Sequence, residues 1–199
     1  ALSSRTMTVL LAFALAASPP AMLDLPGDRG APQPREHQSP RARLDDRLEA
    51  LRAAESDERA AIIADEVRSL WRQRAGATAD LLLQRAETAI EAGDLATAER
   101  AYAHLRILEP EFAESWVASA ELAAAQGDWT FALEALNTAV TLDERRFDAW
   151  ALLGRALERA DADEAALEAY EQALALHPRH PEARSGRARL ERALAGRSL

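Results

Sequence analysis

The chain has 199 residues, a formal net charge of −9, no cysteine and no lysine, so all 24 basic residues are arginines. Without cysteine it has no disulfide scaffold, cysteine-ligated zinc or thiol catalysis, and without lysine it has no P-loop lysine or Schiff base. The acidic balance argues against nucleic acid as a partner. Its 47 alanines and 29 leucines both favour helix, so the composition predicts an all-α fold.

The N-terminus carries an uncharged apolar run, TVLLAFALAA, from Thr8 to Ala17, with Arg5 before it. The tripeptide Ala-Leu-Ala at 14–16 fits a small-x-small cleavage pattern. Residues 1–18 therefore resemble a secretory signal peptide, which predicts a periplasmic or otherwise exported protein. The run is shorter than the ~20 residues of a spanning helix, so no stable membrane span is expected in the mature chain. A cytosolic protein without a signal remains the alternative.

A proline-rich stretch follows at 19–41 and holds six of the nine prolines. Proline removes backbone donors, so this stretch is predicted to be a flexible, extended linker.

Two helices are predicted within residues 42–78, over 43–54 and 57–74. Leucines line one face of the first helix, and apolar residues at helical spacing line the second. These residues are Leu44, Leu48 and Leu51, then Ile62, Ile63, Val67, Leu70 and Trp71.

The rest of the chain repeats with a period of 34 residues. Ala98, Ala132 and Ala166 stand 34 apart, and small, aromatic or apolar residues keep the same period in further columns. These columns are Leu82/Trp116/Trp150, Ala86/Ala120/Gly154, Tyr102/Leu136/Tyr170 and Leu105/Ala139/Ala173. Gly93 and Gly127 also align, with Asp161 in their place in the third unit.

This pattern resembles the tetratricopeptide repeat (TPR), a helix-turn-helix unit of about 34 residues. The resemblance implies an all-α solenoid with units at 79–112, 113–146 and 147–180. The small residues allow helix axes to approach closely, and Gly93 and Gly127 suit left-handed turns. Asp94 and Asp128 are placed to cap the next helices.

Both ends of this array depart from the pattern. Residues 181–199 predict a basic capping helix, with Ala183, Leu190 and Leu194 facing inward and five arginines against two glutamates. Upstream, Leu48 and Ala64 lie 34 residues before Leu82 and Ala98, which favours a degenerate fourth repeat at 42–78. Arg68 and Trp71 do not suit their columns, so a separate helical hairpin stays open as the other interpretation.

No catalytic motif stands out, and we expect neither enzyme activity nor a cofactor. His177 and His180 superficially suggest a metal pair, but no further ligand is placed to complete it, so solvated loop histidines are the favoured interpretation.

The resemblance implies instead a concave binding face at the second, fifth, ninth and twelfth positions of each unit. Residues 79–180 contain 20 acidic residues and 8 arginines, against a net +3 in 181–199, so an acidic groove is expected. Such a groove favours a basic or apolar peptide. The expected exposed positions are Asp80, Leu83, Glu87, Ile90, Glu114, Val117, Glu121, Ala124, Asp148, Ala151, Arg155 and Glu158.

The family's carboxylate-gripping mode uses lysine and asparagine. The chain has no lysine, and its only asparagine, Asn137, falls on a second helix. This argues against the acidic tails of chaperones as ligands. The leading hypothesis is a non-enzymatic scaffold or adaptor. A structural subunit that self-assembles or stabilises a larger envelope complex, for instance by head-to-tail contact, is the first alternative, and a cytosolic adaptor is the second.

Overall fold

A computed structural model of the chain describes residues 39–73 and 76–197, with the side chain of Arg197 excepted. The predicted signal segment, 1–18, lies outside the described residues, as does the linker up to residue 38. The last linker positions are helical, because the first helix begins at Pro40. Proline suits the first turn of a helix, where its missing N–H would have no partner.

The described part of the chain is helical throughout, with short connections and no strand, which confirms the all-α prediction. Two helices precede the repeat region, six pair within it, and one follows it. They are α1 (Pro40–Arg52), α2 (Asp57–Arg72), α3 (Ala77–Glu91), α4 (Leu95–Leu108), α5 (Ala113–Gln126), α6 (Trp129–Leu142), α7 (Phe147–Arg159), α8 (Asp163–Leu176) and α9 (Pro181–Arg197). None of these helices is long and apolar enough to cross a membrane.

Side-chain caps and left-handed turns set the boundaries of the hairpins. The carboxylates of Asp94 and Asp128 each accept a hydrogen bond of 3.0 Å from the backbone N–H three residues later, as predicted. Gly93 and Gly127 have φ values of 75° and 85°, and Asp161 takes the same left-handed conformation at 55°. The third hairpin therefore keeps the turn geometry of the first two, but on a residue that carries a Cβ.

Replacing Asp161 by glycine is expected to raise the free energy of unfolding by up to about 1 kcal/mol, because glycine adopts this conformation without steric cost. Urea unfolding followed by circular dichroism measures the change. Asp161→Ala, which keeps the Cβ, is the control and gains nothing. A glycine variant less stable than the native chain would contradict this interpretation of the turn.

The repeated small residues lie where the helices touch. Ala86, Ala98, Ala120, Ala132 and Ala166 are all fully buried. A hydrogen bond also recurs with the period. The indole N–H groups of Trp116 and Trp150 each donate a 2.9 Å hydrogen bond to a loop carbonyl six residues earlier. These bonds tie α5 and α7 to the loops that precede them, so the repeat places these loops as well as the helices.

The hairpin of α1 and α2 packs against the third repeat. Its leucines share a core with Phe147 and Leu176. Asp45 on α1 pairs with Arg145 in the loop before α7 at 2.8 Å. Arg179, in the loop before α9, donates to the carbonyl oxygens of Ala54 and Glu55. The hairpin thus lies along the loops between repeats.

This placement leaves one face of α3 open, where a preceding repeat would stack. Leu81 on that face is 65 % exposed, whereas Ser115 and Ala149, the residues 34 and 68 positions later, are fully buried. At the other end of the array, Ala183 and Leu190 of α9 are buried against Tyr170 as predicted, and Leu194 is half-buried.

Candidate interaction groove

An open cleft of about 550 Å3 lies between α2 on one side and α5, α7 and the first turn of α9 on the other. We call it the inner groove. Helix α2 forms one wall, and the loop before α9 closes one end. The lining residues are Asp57, Ala61, Ala64, Asp65, Arg68, Glu121, Asp148, Ala151, Leu152, Arg155, His177, Arg179, His180, Pro181, Glu182 and Arg184.

Four of the predicted concave positions line this groove, namely Glu121, Asp148, Ala151 and Arg155. The others lie elsewhere. Glu114 accepts a hydrogen bond from Arg146, and Glu158 accepts one from the hydroxyl of Tyr170. The four α3 positions do not line the groove. Those α3 positions are Asp80, Leu83, Glu87 and Ile90.

The expected exposure was wrong at four positions. Leu83 and Ala124 are 7 % exposed, Val117 is 2 % exposed and Ala151 is 1 % exposed. Each belongs to a core cluster between neighbouring helices. Neighbouring helices cover these four side chains, whereas Ile90, at 40 % exposure, and the longer polar side chains of the predicted set reach solvent.

We call the acidic side chains at the predicted concave positions of α3, α5 and α7 the acidic face. This face contains a buried ion triad around Arg146, which is 2 % exposed. Its guanidinium donates two hydrogen bonds to the Asp148 carboxylate, at 2.9 and 2.7 Å, and one to Glu114 at 2.8 Å. Burial opposes the ionised form of Asp148, but Arg146 outweighs it and lowers the pKa of Asp148. Burial raises the pKa of Glu114, and Asp148 adds to that rise while Arg146 opposes it.

Further arginines neutralise the acidic face from outside it. Arg72 on α2 reaches Glu87 at 3.5 Å, and Arg189 on α9 reaches Glu158 at 2.6 Å. Arg146 was not predicted as a site residue because it stands in a loop, just before a helix. The acidic residues at the second positions of units two and three, Glu114 and Asp148, were the signal for a cation between them.

An aromatic cluster joins the triad to the hairpin. Trp71 is 2 % exposed and lies between the Arg146 guanidinium, 4.3 Å from its ring centre, and the ring of Phe147 at 5.3 Å. The guanidinium of Arg68 lies 5.6 Å from the centre of the Phe147 ring. A stacked cation and ring attract more strongly when water is excluded, as it is at Arg146, whereas Arg68 is 39 % exposed.

The two loop histidines are not solvated as predicted. His177 is 3 % exposed, and its ring packs edge-on against Phe147 at 5.2 Å and against His180 at the same distance. Burial lowers the pKa of His177 to about 4 and lowers that of His180 as well. Within 39–73 and 76–197, no three potential ligands come together to hold a metal ion.

Glu121 differs from the other carboxylates of the groove. Asp57, Asp65, Asp148 and Glu182 each pair with an arginine, whereas no ion pair reaches Glu121 from the residues described. Its side chain is exposed to solvent, although the groove walls stand around it and partly desolvate its carboxyl group. This desolvation, with the charges of Asp148 and Glu114, raises the pKa of Glu121 to about 7.

Glu121→Gln is therefore expected to stabilise the fold more at about pH 8 than at about pH 5. The folded pKa lies above the unfolded value, so the native state binds the proton more tightly and loses stability as the pH rises towards 7. Urea midpoints at the two pH values measure the effect, with Glu134→Gln, exposed on α6, as the control. An equal change at both pH values would contradict it.

Comparison with known proteins supports the repeat interpretation. Two models described as "Tetratricopeptide repeat" match residues 83–147 and 147–190, and together they span 83–190, more than half of the chain. The chain belongs to the tetratricopeptide repeat family. A TPR repeat-containing protein of Rhizobium etli is 29 % identical over 140 residues, covering 70 % of this chain and 69 % of its own length.

Solved TPR domains share the fold. The first TPR domain of Spaghetti (RPAP3), bound to the HSP90 peptide SRMEEVD, is 23 % identical with a TM-score of 0.57. That similarity covers 59 % of this chain and 94 % of the other. The Sgt2 TPR domain of Aspergillus fumigatus is 20 % identical with a TM-score of 0.57, covering 62 % of this chain and 83 % of the other.

Proposed function

We propose that this TPR protein is a non-enzymatic adaptor that binds a peptide or protein segment in the inner groove. The observation that carries the proposal is Glu121. It is the groove carboxylate without an ion pair among the described residues, and it faces an open cleft in which a cation from a ligand can pair with it. The groove is thus complementary to a segment with an arginine or lysine side chain.

A solved TPR domain with a bound peptide supports peptide binding as the role of such an array. The RPAP3 domain binds the acidic peptide SRMEEVD. The present chain has no lysine, and its groove offers a carboxylate at Glu121, which favours a cationic ligand over an acidic one. The ligand proposed for this chain therefore has the opposite charge to the peptide SRMEEVD.

Panning a library of random peptides against the full chain tests this proposal. The enriched peptides should carry arginine or lysine, and fluorescence anisotropy should show about a tenfold loss of affinity in Glu121→Arg, or ~1.4 kcal/mol. Glu134→Arg on α6 makes the same charge change outside the groove and should leave affinity unchanged. Enriched peptides that bind Glu121→Arg as well as the native chain would refute the site.

We further propose that the adaptor works in the periplasm or cell envelope. The support is the apolar run at 8–17 with its small-residue pattern, which lies outside the described residues. Sequencing the N-terminus of the native protein tests it. Loss of the run is the expected result, and an intact run would favour the cytosolic adaptor.

A second candidate function is a structural subunit that self-assembles. The open face of α3 favours it, because Leu81 is 65 % exposed there and Ile107 on α4 is 77 % exposed. Light scattering of the full chain separates the two functions. A dimer at tens of micromolar that Leu81→Glu converts to a monomer supports assembly, and a monomeric native chain argues against it.

A further inference from the structure

Helix α2 covers a surface of the repeats that includes Glu87, Arg146 and Phe147, and we call this surface the inner face. We infer that α2 competes with an external ligand for the inner face, and that this ligand is a helix of the same chemistry that displaces α2. The ligand would carry arginine, aromatic and arginine side chains at positions i, i+3 and i+4, as α2 does at Arg68, Trp71 and Arg72. The inference rests on the proposed function, since it names the ligand class of the same face.

Helix α2 presents one face to the repeats. Ala64, Arg68 and Trp71 follow each other at helical spacing, so they share a stripe that points the same way. The small Ala64 lines the groove and lets the two walls approach. Trp71 packs against Arg146 and Phe147, and Arg72 reaches Glu87 on α3. The chain's own helix thus shows which side chains the acidic face accepts.

Two buried polar atoms at the contact between α2 and the repeats lack a hydrogen-bond partner. The indole nitrogen of Trp71 and Nδ1 of His177 are buried, and neither has a hydrogen-bond partner within the described residues. A buried polar atom without a partner keeps its desolvation cost. A cleft of about 200 Å3 opens beside Trp71 and is lined by Glu114, Asp143 and Arg146. An incoming side chain can enter there without first removing the hairpin.

The other end of the hairpin is held mainly by Arg179, which donates to the carbonyl oxygens of Ala54 and Glu55. Arg179 also pairs with Asp57 at 2.8 Å, and Arg184 reaches the same carboxylate at 3.7 Å, but Asp57 is 68 % exposed and such pairs contribute little to stability. The hairpin therefore competes through Trp71, through the apolar core that it shares with Phe147, through the backbone bonds of Arg179 and through the high effective concentration of a tethered segment.

Because the hairpin occupies the face for most of the time, a ligand binds with an apparent affinity reduced by the fraction of open molecules. A change that weakens the hairpin must raise the affinity for a helical ligand, even though the change lies outside the ligand. A helix that merely packs as part of the fold would give no such gain.

The test uses a labelled synthetic peptide of residues 55–73 as the probe and the full chain as the receptor. Fluorescence anisotropy should show weak binding to the native chain and about tenfold tighter binding to Trp71→Ala. The same peptide with alanine in place of its tryptophan should bind neither. Trp129→Ala, a half-buried tryptophan on α6, is the matched control and should give no gain.

Circular dichroism establishes that each variant is folded. If Trp71→Ala loses its helical signal, Arg179→Ala loosens the hairpin from its other end, keeps the aromatic pocket intact and should give the same gain. Equal affinity for the native chain and a folded weakened variant would overturn the inference. In that case, library peptides that still depend on Glu121 would leave the proposed function standing. A gain in affinity for the α2 peptide without any enriched library peptide would support the displacement of α2 and refute the proposed binding of arginine or lysine at Glu121.

Discussion

Replacing Arg146 by methionine is expected to lower the free energy of unfolding by about 3–5 kcal/mol, because it leaves two carboxylates buried without their cation. Asp148 and Glu114 are 12 % and 15 % exposed as side chains, and Arg146 supplies hydrogen bonds to both. Trp71 also loses the guanidinium that stacks on its ring. The loss therefore reaches the hairpin as well as the repeats.

Urea unfolding at neutral pH measures this effect. The matched control is Arg47→Met on α1, whose side chain is 42 % exposed and pairs with Glu66, itself 47 % exposed, at 3.1 Å; its cost should be at most about 1 kcal/mol. The triple variant Arg146→Met, Glu114→Gln and Asp148→Asn should recover much of the stability, because no uncompensated charge remains. If Arg146→Met costs no more than Arg47→Met, the triad does not stabilise the fold as a buried ion cluster.

Replacing Gly186 by alanine is expected to destabilise the chain by about 1–3 kcal/mol, by overpacking α9 against α8. A Cβ at this position would lie 2.3 and 2.4 Å from ring atoms of Tyr170. The ring has no free space, because it is fully buried and its other edge would lie 2.7 Å from a Cβ at Gly154. Its hydroxyl is also held by Glu158 at 2.7 Å, so the ring cannot move without losing that bond.

Gly196→Ala is the control within the same helix. Nothing lies within 4 Å of a Cβ there, so alanine should be neutral or slightly stabilising, since glycine is the poorer helix former. Thermal unfolding followed by circular dichroism compares the two variants. Equal melting temperatures for Gly186→Ala and Gly196→Ala would show that α9 adapts its position freely, contrary to the tight packing around Tyr170.

The repeat core was predictable because its information is periodic. Ala98, Ala132 and Ala166 recur at the one place where two helices must touch, and each is fully buried. The turns were equally local, since Gly93 and Gly127 need only their own backbone conformation to be assigned. Local and periodic signals survive in a single sequence, so the hairpins and the repeat family could be inferred from them.

The position of the first hairpin could not be inferred in the same way. It depends on pairs such as Asp45 with Arg145, which lie 100 residues apart and follow no period. The burial of His177 was missed for the same reason, because it depends on the Phe147 cluster that the hairpin covers. The composition of the groove was only half predicted. The acids were found, whereas the arginines that neutralise them come from other elements.

The hairpin contact also changes how the array behaves as a whole. In an ordinary solenoid each repeat touches only its neighbours, so the chain frays from its ends and folds through local contacts. Here Arg179 bonds the carbonyl of Ala54, 125 residues away, and so fastens the first hairpin to the last repeat. This link raises the average sequence separation of contacts, which slows folding. It also couples the N-terminal hairpin to the loop before α9, so amide hydrogens of α1, of α2 and of this loop should exchange together.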